Sequence, residues 1–422
     1  MQAGTTTSRR TPWSFAEFFA GIGLMRFGLE SADHPWACAY ANDSDPGKRD
    51  MYLRHFGRSN RAASGITDRV DDRDVRLVHG SDTPTVDLAT ASFPCTDLSL
   101  AGARAGLRSG QSAAVWAFFD VLEQMGARRP PLILLENVVG LLNSHDGSDL
   151  RDLLRAMNRL GYAVDALVLD AKWFVPQSRP RLFIVGERDP DGVRPGAKVR
   201  LGRESRVVLP EPIDPRDLRP DRLRPPRLCE FVHAHAPSVR WRLRKLHEPP
   251  QRSALSLPEV LDRPDRSADL WWPESRVRYL YEQMSERHRR WVDERMARRR
   301  PAYAAAFRRV RVQPDGTKRS MAELRTDGLA GCLRTPKGGS ARQIIVRAGD
   351  GRLDARLLSP RECARLMGAH RYNFAPDLSV NRALYGFGDA VCVDAVRWLA
   401  DHRLAPVMRG TAPSQSLRTV SA

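Results

Sequence analysis

The sequence predicts an α/β fold: an open, mostly parallel sheet with helices on both faces, joined to a second, basic lobe. Three observations predict it. Short apolar runs alternate with amphipathic helical patterns from Trp13 to Gly186, as in successive βαβ units. Several of those runs stop at residues suited to chemistry, and in open α/β sheets ligands bind at the carboxyl ends of strands. From Glu187 the composition changes, with 17 of the 30 prolines falling between 187 and 355 and little regular periodicity before Trp271.

Residues 1–12 are expected to be a disordered tail. Trp13 to Phe19 then forms an apolar run that enters Ala20-Gly21-Ile22-Gly23 before a helical pattern through Glu30. Glycines at such a turn let the backbone approach a ligand, and the following helix offers free N–H groups. A plain strand-to-helix connection is the alternative. The strand from Trp36 to Ala41 ends in Asn42-Asp43, about twenty residues past the glycines, where an acidic side chain can accept hydrogen bonds from ribose hydroxyls. Asp43 is equally placed to cap the helical stretch from Pro46 to Phe56. Val86 to Ala91 is a short apolar run that stops at Pro94-Cys95, making Cys95 a candidate nucleophile in the loop beyond a strand. Gly102 to Gly110 is suited to a mobile lid, a helix spans Ser112 to Met125, and Leu132 to Leu135 delivers Glu136 at its carboxyl end. A helix from Asp149 to Leu160 and a strand from Ala163 to Asp170 lead to Arg179 and Arg181, whose spacing of two directs both to one face.

The net charge of +18 points to a polyanionic partner. Residues 1–186 carry 21 basic and 21 acidic side chains, residues 187–355 carry 38 and 24, and residues 356–422 carry 9 and 5. Arginines outnumber lysines 62 to 6, so the argument rests on the local excess rather than on arginine abundance. In the middle lobe, apolar positions from Val277 to Met296 fall at helical spacing until Pro301. The loop from Leu333 to Gln343 mixes glycines, bases and hydroxyls, so Arg334, Lys337, Gly338, Gly339, Ser340 and Arg342 are candidate phosphate or base contacts, with Arg356 beyond them. A merely solvated loop is the alternative. Ser359-Pro360-Arg361-Glu362 opens a helix, the final helix runs from Ala390 to Leu399, and 406–422 is expected to be a disordered tail.

The six cysteines are dispersed without a CxxC pair, so free thiols are expected and neither a disulfide framework nor a zinc site. Cys229, His233 and His235 lack a fourth neighbouring ligand, and no metal is expected. No apolar stretch approaches membrane-spanning length and the first residues lack a signal-peptide core, so a soluble, cytoplasmic protein is expected.

Taken together the motifs resemble those of the DNA cytosine-5 methyltransferase family, in family order and across nearly the whole chain. Phe18-Phe19-Ala20-Gly21-Ile22-Gly23 looks like the cofactor motif, Phe93-Pro94-Cys95 the nucleophile motif, Glu136-Asn137-Val138 the ENV motif and Gln177-Ser178-Arg179-Pro180-Arg181 the QxRxR motif. Arg356 to Gly368 looks like the penultimate motif and Tyr385 to Val391 the last.

The resemblance implies a Rossmann-like S-adenosyl-L-methionine-dependent methyltransferase domain (13–186, completed by 356–405) interrupted by a target-recognition domain (187–355). It implies that Cys95 adds to C6 of a flipped-out cytosine, that Glu136 protonates N3, and that Arg181 with Arg179 holds the O2 side. Phe18, Ala20, Gly21, Ile22, Gly23, Asp43, Ile66, Pro94, Ala390 and Val391 would line the cofactor site. Double-stranded DNA is the implied partner, and FFAGIGLMR and FPCTDLSLAGARAGL resemble methyltransferases of restriction and DISARM-type phage-defence systems, which implies host DNA protection and further subunits. The chain departs from the family pattern in Asp43 for Glu, in Gly65 where an adenine-contacting Asp is common, and in Gly388-Asp389-Ala390 for Gly-Asn-Ser. An RNA cytosine-5 methyltransferase, a nicotinamide oxidoreductase and a non-catalytic DNA-binding relic are the competing classes.

Overall fold

A computed structural model describes residues 11–57, 66, 68–94, 107, 112–188, 212–263, 270–312, 316–335 and 342–410. Cys95, Lys337, Gly338, Gly339 and Ser340, with most of the 102–110 loop, lie outside the described residues.

Seven strands form the main sheet: β1 (Trp13–Phe18), β2 (Trp36–Asn42), β3 (Arg69–Asp71), β4 (Leu88–Ala91), β5 (Leu132–Val138), β6 (Tyr162–Asp170) and β7 (Pro180–Arg188), in the order β3-β2-β1-β4-β5-β7-β6. All pair in parallel except β7, which runs antiparallel to β5 and β6. β2 and β6 are buried at every residue, as expected where helices cover both faces. One face carries the helices Leu24–Glu30, Pro46–Phe56, Pro360–Leu366, Val380–Asp389 and Val393–Leu399. The other carries Ala114–Met125, Ser148–Arg159 and Pro226–His235. The returning C-terminal segment thus completes the first face.

The middle segment divides differently from the sequence expectation. Leu218, Leu228, Cys229, Phe231, Val232 and Leu243 join the core of the main sheet, so 212–262, with its short antiparallel pair β8 (Pro212–Ile213) and β9 (Leu243–Arg244), wraps the catalytic sheet rather than forming a separate lobe. The prolines mark the irregular wrapping, not a domain boundary. Five buried charges fasten it. Asp165 on β6 accepts from Arg224 at 2.9 Å and Arg403 at 3.1 Å. Glu187 on β7 pairs with Arg244 at 2.6 Å and Arg403 at 2.7 Å. Burial would raise the Glu187 carboxyl, but the Arg244 bonds and the Arg403 charge outweigh it and hold it at about 2.

The separate unit starts at Leu270 and has its own apolar core. It contains a four-stranded antiparallel sheet, in the order β11 (Lys318–Arg325), β10 (Ala302–Val312), β12 (Ile344–Gly349), β13 (Arg352–Leu357). β13 runs across the expected boundary at 355. The single helix expected from Val277 to Met296 is two, Glu274–Glu282 and Glu286–Met296. Ser285 caps the second by accepting from His288 N, and because both helices face one core, their apolar positions read as one continuous stripe. The expected tail from 406 is also corrected. A helix spans Ala405–Gly410 and buries Val407 and Met408. Among the described residues no helix is long and apolar enough to cross a membrane.

Candidate functional site

A cavity of about 460 Å³ opens where β1, β2, β4 and β5 end. Because β7 is antiparallel, its beginning reaches the same edge, which is how Arg179 and Arg181 come to face Glu136. Ala20, Gly21, Ile22, Asp43, Pro94, Glu136, Arg179, Arg181, Ala390 and Val391 all line this cavity, so the structure brings together most of the catalytic and cofactor residues singled out from sequence.

Three of the expected cofactor contacts are displaced. Phe18 is buried in the core against Tyr40 and Phe118. Its neighbour Phe19, at φ 55°, leaves the strand alternation and lines the cavity instead. Gly23 serves packing: a Cβ there would come within 2.4 Å of the Phe56 ring. Ile66 packs against the apolar core and is absent from the cavity wall. At the end of β3 the chain places Asp74 and Val75 in the wall, an acid followed by a β-branched residue that the sequence reading missed.

Asp43 is not the helix cap. Asp45 is, accepting from Lys48 N at 2.9 Å. Asp43 Oδ2 accepts from Gly21 N at 2.7 Å and Oδ1 from Asp45 N at 2.8 Å, which fixes the carboxyl beside the glycine turn. Burial pushes its pKa up, against the pull of those two bonds.

Glu136 is 5% exposed, with Arg181 Nε 3.1 Å from its Oε1. Burial raises its pKa, and the Arg181 and Arg179 charges oppose without cancelling it. Arg179 lines the cavity and also positions the chain around it. Its Nη1 donates to Leu333 O at 2.8 Å and its Nη2 to Gly388 O at 2.9 Å and to Ala390 O, so it pins the returning segment to the site. Gln177 does the same, donating to Leu366 O at 2.6 Å and accepting from Leu333 N at 2.9 Å. Cys332 Sγ lies 3.1 Å from Arg179 Nη1. Burial would raise that thiol, but Arg179, Arg181 and Arg334 together lower it.

Arg356 is also corrected. It is 1% exposed and forks onto Glu362 at 2.7 and 2.6 Å while donating to Asp262 O at 2.9 Å. A guanidinium so buried and forked onto Glu362 cannot reach DNA; it secures the helix that Ser359 and Glu362 cap. Arg334 is exposed and Arg342 half-buried.

The wall also suits a nucleoside ligand carrying a cationic amino acid. Glu17 Oε2 is buried there without a hydrogen-bond partner, and burial, partly offset by Arg26, lifts its pKa to about 8. A Cβ on Gly21 would meet nothing within 4 Å, so the turn faces open space.

The fold and this edge define a class, Rossmann-like α/β proteins with a ligand site at the carboxyl ends of the strands. Within it, a family model for C-5 cytosine-specific DNA methylase matches residues 13–403, and the chain belongs to that family. It is 33% identical over 176 residues to the type II methyltransferase M.Bsp6I of Bacillus sp. (strain RFL6), an overlap covering 41% of this chain and 52% of that protein. It is 28% identical over 172 residues to M.HhaI of Haemophilus parahaemolyticus, covering 40% and 48%. The chain thus spans about half the length of these curated relatives. Among solved structures, a mutant DNMT2 from Spodoptera frugiperda superposes with TM-score 0.55 at 15% identity, covering 94% of this chain and 99% of that one. EhMeth of Entamoeba histolytica gives 0.56 at 12%, covering 95% and 99%. At those identities the likeness is one of fold.

Proposed function

We propose that this protein methylates C5 of cytosine in double-stranded DNA, with S-adenosyl-L-methionine as donor. The observation that carries the reading is the buried carboxyl of Glu136 facing Arg181 in a cavity that Pro94, the residue before Cys95, also lines. Asp43 would hold the ribose, Asp74 and Val75 the adenine, and the unpartnered Glu17 oxygen the ammonium of the amino-acid end. When bound, the cofactor supplies an electrophilic methyl group.

The chain's own residues do the rest. A Cys95 thiolate adds to C6, the C5–C6 π pair moves into the ring toward N3, and the Glu136 proton passes to N3. Arg181 holds O2 and keeps the carboxyl in place. That leaves C5 as an enamine carbon able to take the methyl. Return of the N3 proton to Glu136, loss of the C5 proton and departure of sulfur with the C6–S pair restore the ring. The target base must leave the duplex first, at a cost of a few kcal/mol.

The DNA grip we assign to the 270–357 unit. β12 pairs with β10 only over Ala302–Ala306. Beyond that, β10 and β11 continue as a two-stranded ribbon that exposes Arg309, Val310, Arg311, Val312, Lys318 and Arg319. A ribbon of that kind fits a major groove. Protection of host DNA, in a restriction or phage-defence system with other subunits, is the biological role that goes with this activity.

The test is transfer of labelled methyl to DNA and to tRNA, with wild type and Cys95→Ala. Wild type should methylate DNA and be trapped as a denaturation-resistant adduct on DNA bearing 5-fluorocytosine, because fluorine cannot leave as a proton does. The Cys95→Ala variant should do neither while still binding duplex and cofactor. Transfer confined to tRNA would favour the RNA reading, and binding without transfer or trapping by wild type would leave a relic.

A further inference from the structure

Lys48 Nζ and Asp389 Oδ2 lie 2.8 Å apart, and both side chains line the cavity. Lys48 comes from the first turn of the helix Pro46–Phe56, immediately after the ribose-side Asp43, whereas Asp389 ends the helix Val380–Asp389 on the returning segment. The pair therefore joins the two parts of the chain that enclose the site. Its environment is lopsided: Asp389, Asp43 and Asp45 all act on Lys48 and outweigh its burial, so the ammonium stays charged.

The other cations of the wall are engaged elsewhere. Arg181 pairs with Glu136, Arg179 donates to Leu333, Gly388 and Ala390 carbonyls, and Arg76 lies 3.1 Å from Asp74. Lys48 differs from Arg179 and Arg181 in having an exposed carboxylate as its partner, and from Arg76, whose own side chain is half exposed, in being largely buried in the wall. The Asp389 carboxyl is 47% exposed, so water can take it over at little cost when the ammonium leaves.

Resting on the cofactor reading above, the geometry points to Lys48 as the receptor for the α-carboxylate of the cofactor's amino-acid end, with Asp389 as a positioning residue that holds the ammonium at the cavity wall until that carboxylate replaces it. Glu17 and Lys48 then present a carboxyl and a cation to the ammonium and carboxylate of an amino acid. Asp389 becomes a competitor of the ligand for the same ammonium, and this fixes the sign of its mutation.

The measurement is calorimetric titration of the full chain with S-adenosylhomocysteine and with 5′-methylthioadenosine, which lacks the amino-acid end. For Lys48→Met, affinity for S-adenosylhomocysteine should drop about 10- to 100-fold, the range for losing a charge-assisted hydrogen bond, while 5′-methylthioadenosine changes by less than about twofold. For Asp389→Asn, S-adenosylhomocysteine should bind as well as to wild type or more tightly. A mere clasp between two chain segments would weaken both ligands in both variants, and that result, or no effect of Lys48→Met on either ligand, overturns the inference while leaving the cofactor reading standing. Failure of wild type to bind either ligand would overturn the cofactor reading itself, and this inference with it.

Discussion

Replacing Glu136 by Gln separates proton donation from shape. The amide keeps the size of the side chain and a hydrogen bond to N3 but has no proton to give, so the rate of methyl transfer should fall about 10²- to 10⁴-fold. The structure adds a pH signature. Burial lifts the Glu136 pKa above its ordinary 4.5, and Arg181 at 3.1 Å only partly restores it. The protonated, donating form therefore persists above the usual carboxylate range, and single-turnover rates of wild type should decline as pH rises through the raised pKa. Glu136→Gln should lack that limb. Stability follows with a definite sign. A raised folded-state pKa gives stability that is fully present below pH 4.5 and is lost as pH climbs to the folded value. The Gln variant should therefore melt at or above the wild-type temperature near neutrality and lose that advantage in acid. Wild-type rates in the variant, or an unchanged pH limb, would refute Glu136 as the proton donor.

The remaining predictions concern cofactor, ion network and DNA. Asp43→Ala should weaken S-adenosylhomocysteine binding by about tenfold or more in calorimetry, whereas Asp45→Ala, which removes the helix cap, should cost about 1 kcal/mol in unfolding free energy and leave binding nearly intact; the reverse pattern would exchange their roles. Glu187, held at about 2 against an ordinary 4.5, contributes roughly 3 kcal/mol that is present above pH 4.5 and lost as pH falls through 2. Glu187→Gln should thus unfold at lower urea than wild type at pH 7, with the gap closing in acid, and equal midpoints at pH 7 would remove the network from the account of stability. Charge reversal of Arg309 and Arg319 together should weaken duplex binding and shallow its log–log salt slope by about 0.9 for each phosphate that is no longer neutralised. An unchanged slope would move the DNA surface elsewhere.

How far the site was legible can be seen at single residues. Strands buried on both faces read as unbroken apolar runs, so their carboxyl ends, and with them Asp43, Pro94 and Glu136, could be placed from sequence. Phe18 and Phe19 could not be told apart, since which of two adjacent aromatics enters the cavity depends on where the backbone turns to positive φ, here at Phe19 itself. Asp74 was missed because Ser64-Gly65-Ile66-Thr67, earlier in the chain, resembles the family's Gly-Asp-Ile pattern and drew the adenine-side assignment to Gly65. The end of β3 was the surer reference, because pairing with β2 fixes it in space.

Charge shows the deeper limit. Basic residues report a polyanionic partner only in sum, because sequence does not say which guanidinium is already engaged. Arg356, Arg224, Arg244 and Arg403 all count toward the net charge of +18, yet each is nearly or fully buried on a carboxylate of this same chain. Subtracting such pairs leaves, among the described residues, the ribbon as one place where positive charge is exposed without a core to serve. Arg309, Lys318 and Arg319 are all exposed there, beside Val310 at 59% and Val312 at 68%. Apolar side chains so exposed between bases cost solvation in the free protein, and contact with base edges and thymine methyls would recover it. That is why the ribbon, rather than the whole basic segment, is the surface on which duplex recognition is expected to turn.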